Sequence, residues 1–388
     1  MTTTVPTREL VGSDISVYLS EQTVKGVVDS NPEFFKVRRT GGIPKQTKGS
    51  TTSAELKNNQ QGKTNIQTSS EQGAELSTEV YQQTKRLLTA AIHSEIEDNS
   101  YAGTDIEITG TGFGVPSNTL SAGDFIFVSG ATDDDNNTVY YVEGVSGDTV
   151  TVNPTPASTE AAGASITVAS KKYANGLVPT YFAGQRRQLD KSKAGELAYF
   201  NFTDGLVDSL SLEIPEEELL TATSNMIWEV AEEGFAAIAG QSDEADDTSE
   251  AVGVENQFKK FWINGTPANC SLKSASIEIT NNYQQSAAAG CKRKSLGARA
   301  FAVSGSFVAK NFTANSTYWE EEFLNAARVQ LAFEIIWGDG NAMVVELERA
   351  YLNEHEMPSE EGFANSTLNI LAEENPDTNT TIRVFTNF

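Results

Sequence analysis

Apolar and polar residues alternate with a period of two in several stretches of this chain, and that period constrains the fold more than any other feature. Only an extended strand puts successive side chains on opposite faces, so each stretch calls for a sheet with one buried and one wet side. In Ser276 to Thr280, Ile277 and Ile279 fall inward and Ser276, Glu278 and Thr280 outward. From Leu206 to Ile214, Leu206, Leu210, Leu212 and Ile214 share a face interrupted by Asp208, and Val207, Ser209, Ser211 and Glu213 share the other. Phe301, Val303, Gly305, Phe307 and Ala309 make the apolar face of a third stretch, opposite Ala302, Ser304 and Ser306. The expected fold class is mainly β.

Other elements follow from turn and cap signals. Glu196 to Phe202 reads as a strand joined to the Leu206 strand by a turn at Thr203-Asp204-Gly205, because Asp-Gly favours tight hairpins. Phe34 to Arg39 reads as a short strand, and Thr40 to Gly73, nearly devoid of apolar residues, as a long loop of the kind that is either functional or disordered. Gly73 to Val80 is a strand, followed by a helix over Tyr81 to Ile92 with Leu87, Leu88, Ala91 and Ile92 at helical spacing, opened by Ser77 or Thr78. Thr317 and Glu320 have capping-box spacing and open a helix through Phe323, Leu324 and Ala327. Val329 to Trp337 and Ala342 to Leu352 form a hairpin around Gly338-Asp339-Gly340-Asn341, and Thr367 to Leu371 and Thr381 to Phe385 are the last strands. The pattern therefore predicts a sheet-rich domain with one helix near each end.

From about Gly103 to Ser170 the character changes. Asp124 to Val128, Val139 to Val142 and Thr149 to Val152 are short strand candidates separated by Asp133-Asp134-Asp135-Asn136-Asn137 and Ser146-Gly147-Asp148. Strands at such even spacing suggest a small barrel or sandwich. Residues 101–170 are expected to be an inserted β-domain, with 1–100 and 171–388 forming the main one, since the main pattern resumes at Tyr173. A chain of 388 residues has room for both.

Charge excludes one class. With 28 Lys+Arg against 53 Asp+Glu the formal net charge is −25, and binding to a phosphate backbone needs the opposite surplus. Thirteen of the acids lie between Glu213 and Glu255 with no Lys or Arg among them, and Ser242 to Glu250 has the composition of a solvated, mobile loop. Basic residues gather at Lys36, Arg38, Arg39, Lys45 and Lys48, at Arg186 and Arg187, and at Lys292, Arg293 and Lys294; separate acidic and basic patches suit contact between identical copies. Two cysteines, Cys270 and Cys291, are too few for a disulfide framework and read as thiols in a reducing compartment. The N-terminus lacks the basic and apolar stretches of a signal peptide, and no apolar run is long enough to span a membrane, so neither export by that route nor a membrane role is expected. Sequons at Asn201, Asn269, Asn311, Asn315 and Asn365 are read as the by-product of a Thr- and Asn-rich chain.

Catalytic patterns are sparse. His93 and His355 are the two histidines, and neither accompanies a nucleophile motif such as Gly-x-Ser-x-Gly. Paired carboxylates are too abundant to point to a glycosidase. Gly110-Thr111-Gly112-Phe113-Gly114 lacks the Lys-Ser/Thr of a phosphate loop. Asp133 to Asn137 offers alternate oxygen ligands for Ca²⁺, yet Thr138 and Gly144 stand where an EF-hand requires Gly and Glu; an ordinary polar turn is the alternative. Cys291 beside Lys292-Arg293-Lys294 has a setting that lowers a thiol pKa. No catalytic residue, metal site or cofactor is assigned, and the chain is not expected to be an enzyme.

Three stretches carry a resemblance. Tyr173-Ala174-Asn175-Gly176, the run from Tyr199 to Ile214 containing Leu206-Val207-Asp208-Ser209-Leu210-Ser211-Leu212, and Ser276-Ile277-Glu278-Ile279-Thr280-Asn281-Asn282-Tyr283 resemble the major tail, or tail tube, proteins of long-tailed bacteriophages (siphophages). In that family an aromatic strand leads through a Gly turn into a "v-x-s-l-s-l" strand, and an "i-x-i-x-N-N" strand follows. The inserted module and Ala300 to Phe312, with the helix at Trp319 after it, are similar too. The resemblance implies a β-sandwich or barrel core flanked by a helix, six copies closing into a ring, and rings stacking into a hollow tube that conducts DNA during ejection. It implies a tape-measure protein, a tail-tip and a tail-terminator protein as partners, DNA as passing cargo, and a place in the virion tail after synthesis in the host cytoplasm.

Two residue sets follow. Ser209, Ser211, Glu213, Ser276, Glu278 and Thr280 are candidate lumen-facing residues, since carboxylates repel phosphate and small hydroxyls offer it little hold; an ordinary solvated outer face is the alternative. The Thr40 to Gly73 loop, with Lys45, Lys48, Ser53, Glu55, Lys57 and Lys63, is the candidate ring-stacking loop; a disordered surface loop is the alternative. A carbohydrate-binding or adhesive surface protein remains a competing class and needs exposed Trp, whereas Trp228, Trp262, Trp319 and Trp337 lie in apolar or helix-cap contexts. An acidic hydrolase needs a pocket with a perturbed carboxylate.

Overall fold

The computed structural model describes residues 10–52, 65–190, 196–231, 236–255, 257–268, 272–287, 294–297, 300–310, 318–356 and 365–388. The fold is mainly β, with two short α-helices among these residues. Strands β1 (Leu10–Gln22), β2 (Glu33–Lys36) and β3 (Arg39–Gly41) lead into β4 (Lys45–Thr52) and β5 (Asn65–Glu79). The expected long loop over Thr40 to Gly73 is thus corrected on both sides of 53–64, which lie outside the described residues: β4 and β5 pair antiparallel from Lys45 opposite Gly73 to Thr52 opposite Asn65. Apolar alternation is missing there because this outer part of β5 pairs with β4 and has no second strand beside it among the described residues. The inner part, from Gln72 to Glu79, pairs with β17 and buries Ala74 and Leu76.

Helix α1 (Thr84–Ala91) buries Leu87, Leu88 and Ala91. Ser77 and Thr78 do not open it as expected. Both belong to β5, Thr78 donates its hydroxyl to the Ala222 carbonyl, and the N-cap is Gln83. The strand β6 (Glu95–Asp98) follows.

Seven strands then form a sheet of their own: β7 (Tyr101–Gly103), β8 (Glu107–Ile108), β9 (Gly112–Gly114), β10 (Phe125–Ser129), β11 (Val139–Ser146), β12 (Thr149–Asn153) and β13 (Ile166–Ala169). Their order is β7-β13-β10-β11-β12-β9-β8. Their alternate residues build a separate core in which Phe113, Ile126, Tyr140, Val142, Val150 and Val168 are buried.

The main sheet resumes with β14 (Lys171–Ala174), β15 (Tyr181–Asp190), β16 (Glu196–Ile214), β17 (Thr221–Ala231), β18 (Ser242–Asp243), β19 (Phe258–Ile263) and β20 (Thr266–Pro267). It continues through β21 (Leu272–Thr280) and β24 (Ala302–Lys310), between which β22 (Gln284–Ala287) and β23 (Lys294–Gly297) form a small hairpin. After α2 (Tyr318–Leu324) come β25 (Arg328–Ile336), β26 (Ala342–Glu356), β27 (Asn365–Ala372) and β28 (Ile382–Thr386).

The turn expected at Thr203-Asp204-Gly205 is absent, because β16 is one continuous strand of 19 residues. Asp204 adopts φ of 56° and produces an irregularity instead of a reversal. Its carboxylate accepts from the Gly26 amide at 2.6 Å, and its own amide donates to Gln22 Oε1 at 2.9 Å. Gly205 is needed for a different reason: Trp228, fully buried, lies against it, and a Cβ would come within 2.6 Å of Trp228 Cδ1.

Two long strands change neighbours midway. β16 keeps β17 on one side but passes from β15 to β21 on the other near Ser209. β26 keeps β25 and passes from β28 to β27 near Ala350. The result is a continuous front sheet, β5-β17-β16-β21-β24-β27-β26, whose inner face (Leu76, Met226, Leu212, Ile277, Phe307, Ile370) belongs to the main core with α1 and α2. Phe301, expected to begin the apolar face of β24, lies just outside the strand and is exposed.

Ser242 to Glu250, expected as a solvated, mobile loop, is largely exposed but crosses the basic residues of β2, of the link to β3 and of α1 as a strap bonded at several points. β18 pairs with β2, Glu244 reaches Arg86 at 2.7 Å, Asp246 reaches Lys36 at 3.4 Å, and Arg38 donates to the Ser249 carbonyl at 2.6 Å.

Candidate functional site

The outer face of the front sheet is the one extended surface that the sequence alternation anticipates. Inward apolar residues fix which way each strand is turned, so register alone aligns the outward ones into rows. One row runs Glu79, Thr221, Glu213, Ser276, Ser306, Asn369, Glu354 across β5, β17, β16, β21, β24, β27 and β26. The next runs Ser77, Thr223, Ser211, Glu278, Ser304, Leu371, Tyr351, and a third Glu75, Asn225, Ser209, Thr280, Ala302.

All six candidate lumen-facing residues therefore lie on one face of two adjacent strands, with Ser209 opposite Thr280, Ser211 opposite Glu278 and Glu213 opposite Ser276. Glu213 and Glu278 are exposed and the four hydroxyl residues half-buried. No position in the three rows is Lys or Arg.

Several of the hydroxyls and amides on this face bond to one another or to its carboxylates. Ser211 Oγ donates to Glu213 Oε1 at 2.9 Å, Asn225 Nδ2 to Ser209 Oγ at 2.9 Å, and Asn369 Nδ2 to Glu354 Oε2 at 2.6 Å. Ser276 and Ser306 share a hydrogen bond of 3.0 Å. These bonds engage part of the donor set, while Glu213 and Glu278 keep their carboxylates in water. The sequence shows the outward faces of β16, β21 and β24; the contributions of β5, β17, β27 and β26 emerge only from register.

The candidate ring-stacking residues are divided. Lys45 and Lys48 are exposed on β4, whereas Ser53, Glu55, Lys57 and Lys63 lie outside the described residues, as do Cys270 and Cys291. The outer part of the β4–β5 hairpin has no further strand partner among the described residues.

Other sequence candidates have structural roles. Asp133 caps a 3₁₀ turn by accepting from the Asp135 amide and from Ser158 Oγ at 2.5 Å. Asn136 is buried and donates to Ser158 and Glu160. Two backbone amides, those of Asp133 and Thr132, hold the Glu160 carboxyl down at about 2. Among the described residues no group of three or more His, Cys, Asp or Glu is arranged to hold a metal. His93 shares a 2.5 Å hydrogen bond with Tyr283, and His355 meets Ser366 Oγ at 3.2 Å. Trp228, Trp262, Trp319 and Trp337 are all buried, so none offers a sugar-stacking surface. Asn201 is also buried, which removes it as a glycan acceptor. No helix among the described residues is long and apolar enough to cross a membrane.

The family model that describes the phage tail tube protein matches residues 12–381. No curated protein matches the chain.

Proposed function

The chain belongs to the phage tail tube protein family, and from that premise we propose that it is the major tail tube subunit of a long-tailed phage of the siphophage type. Six copies close into a ring, rings stack into a tube, and the bore conducts DNA during ejection. The observation that carries this is the three rows free of Lys and Arg that cross β5, β17, β16, β21, β24, β27 and β26, with Glu75, Glu79, Glu213, Glu278 and Glu354 among hydroxyls and amides. A bore lined by Ser209, Ser211, Glu213, Ser276, Glu278 and Thr280 repels phosphate and lets the duplex slide.

In this proposal the main sheets close as a sandwich or barrel, the β4–β5 hairpin with Lys45 and Lys48 reaches the next ring, and residues 101–170 are an inserted domain on the outside of the tube. Ring closure covers the strand edges that an isolated copy exposes, and head-to-tail contacts allow open-ended stacking. The role is structural and non-enzymatic, in the virion tail after synthesis in the host cytoplasm. A tape-measure protein, a tail-tip and a tail-terminator protein are the partners.

Electron microscopy of the purified protein tests this. Tubes of even bore with Glu213 and Glu278 turned to the axis are expected. A persistent monomer, or tubes with those side chains outward, would overturn the proposal.

A further inference from the structure

The contact between the seven-stranded sheet and the main sheet is apolar at its centre and ionic at its edges. Phe125, Phe127 and Val139 meet Trp262, Val344 and Phe385, with the Phe125 ring edge-on to Trp262 at 5.2 Å. On one flank Arg383 donates to Glu346 at 2.8 Å and to the Gly123 carbonyl, beside the seven-stranded sheet, at 2.9 Å. On the other flank stands Glu334 of β25, fully buried. Its Oε2 accepts from Trp262 Nε1 at 2.9 Å, Lys260 Nζ lies 3.7 Å from Oε1, and Oε1 accepts no hydrogen bond. Lys260 in turn donates to Thr138 Oγ1, across the contact, at 3.3 Å.

We propose that Glu334 is a proton-controlled latch between the two sheets: a proton on its unpartnered oxygen favours docking, and its loss loosens the contact. An ionised Glu334 is a desolvated charge with one cation in reach, and that cation is shared with Thr138. The same Trp262 that donates to Glu334 carries the Phe125 contact, so the carboxylate and the apolar centre are mechanically joined.

Burial pushes the Glu334 carboxyl up from 4.5 to about 7, against the opposing pull of Lys260 and Lys259 on β19. Other charged groups at the junction among the described residues are Glu346 and Glu348 on β26, Arg383 on β28, Lys172 on β14 with its partner Glu97 on β6, and Asp124, next to β10. Burial raises Glu346 as well, so it acts in the same direction. The docked form holds a proton that an exposed Glu334 releases. Docking is therefore tightest below the ordinary carboxyl value, weakens as pH rises toward about 7, and is flat above it, by up to about tenfold per pH unit.

Hydrogen exchange of the full chain, corrected for intrinsic rates and followed over Phe125–Ser129 and Phe258–Ile263, tests the latch. Between about pH 5 and about pH 7.5 protection is expected to fall by more than about tenfold in the wild type and by clearly less in Glu334→Gln, where Glu346 remains. Lys260→Met, which removes the cation favouring the ionised form, is expected to move the midpoint to higher pH and serves if Glu334→Gln fails to fold. A pH-independent wild type, a Glu334→Gln variant that keeps the full wild-type fall, or an unmoved midpoint in Lys260→Met overturns the proposal.

Discussion

Arg187 closes a two-pronged pair on Asp243, Nη1 and Nη2 reaching the two carboxylate oxygens at 2.5 and 2.7 Å. The guanidinium is nearly buried, stacks 3.6 Å from the centroid of Tyr18, and donates Nε to Gln185 at 2.9 Å. Asp243 is thus the anchor of the acidic strap, and the strap neutralises a cation that the sheet would otherwise bury alone.

Replacing Asp243 with Asn is expected to cost about 1–2 kcal/mol, because the partner left behind is a desolvated guanidinium. Asp246→Asn, at the exposed 3.4 Å pair with Lys36, should cost no more than about 0.5 kcal/mol. Denaturant midpoints of the two variants, read side by side, check the contrast. Equal losses would mean that Arg187 finds another partner.

Gly205→Ala is expected to destabilise by roughly 2–4 kcal/mol, since the new methyl meets a fully buried indole that has no free volume to enter. Gly184→Ala, whose Cβ would stand 3.1 Å from the same ring, should cost less. Thermal denaturation of both variants orders them. A neutral Gly205→Ala would place the indole elsewhere.

These two sites show what the sequence can and cannot reveal. Ile277 and Ile279 are legible as core because one face of β21 is buried and the other wet, so alternation records the environment directly. Asp204-Gly205 carries a true local signal, a left-handed residue beside a glycine, but the same signal serves a hairpin and an irregular strand alike. The choice is made by Gln22 and Trp228, 182 and 23 residues away in the chain. Ser242 to Glu250 is solvated as its composition indicates, but composition cannot count the cations, Lys36, Arg86 and Arg187, that other segments bring to tie it down. β4 and the outer part of β5 are missed for the opposite reason: main-chain hydrogen bonds between them leave no apolar mark.

His93 offers a pH readout of the seam between α1 and the segment after β21. Burial lowers its pKa from 6.5, so the unfolded chain binds the proton more readily. Stability contributed by the neutral ring is present above about 6.5 and is lost as pH falls below it, down to the depressed folded value. An imidazole titration followed by NMR should give a midpoint below 6.5, moving in Tyr283→Phe, which removes the 2.5 Å bond to Nε2. A midpoint at or above the ordinary value in the wild type contradicts the buried, neutral assignment.

Charge reversal on the polar face separates a bore from an outer wall. Glu213 and Glu278 are exposed and lie in adjacent rows, so Glu213→Lys with Glu278→Lys should change the stability of the subunit by no more than about 1 kcal/mol in total. Wild-type tubes, carrying Glu213 on β16 and Glu278 on β21 with no cation in their rows, are expected not to retain duplex DNA. Tubes of the double variant should retain it at low salt and release it as salt rises, because lysine contacts to phosphate are paid back in released counterions. The comparison needs tubes open at both ends, with DNA measured after sedimentation at two salt concentrations. Variant tubes that ignore DNA while wild-type and variant assemble equally well would place these rows away from the channel, and the acidity of this face would then serve solubility alone.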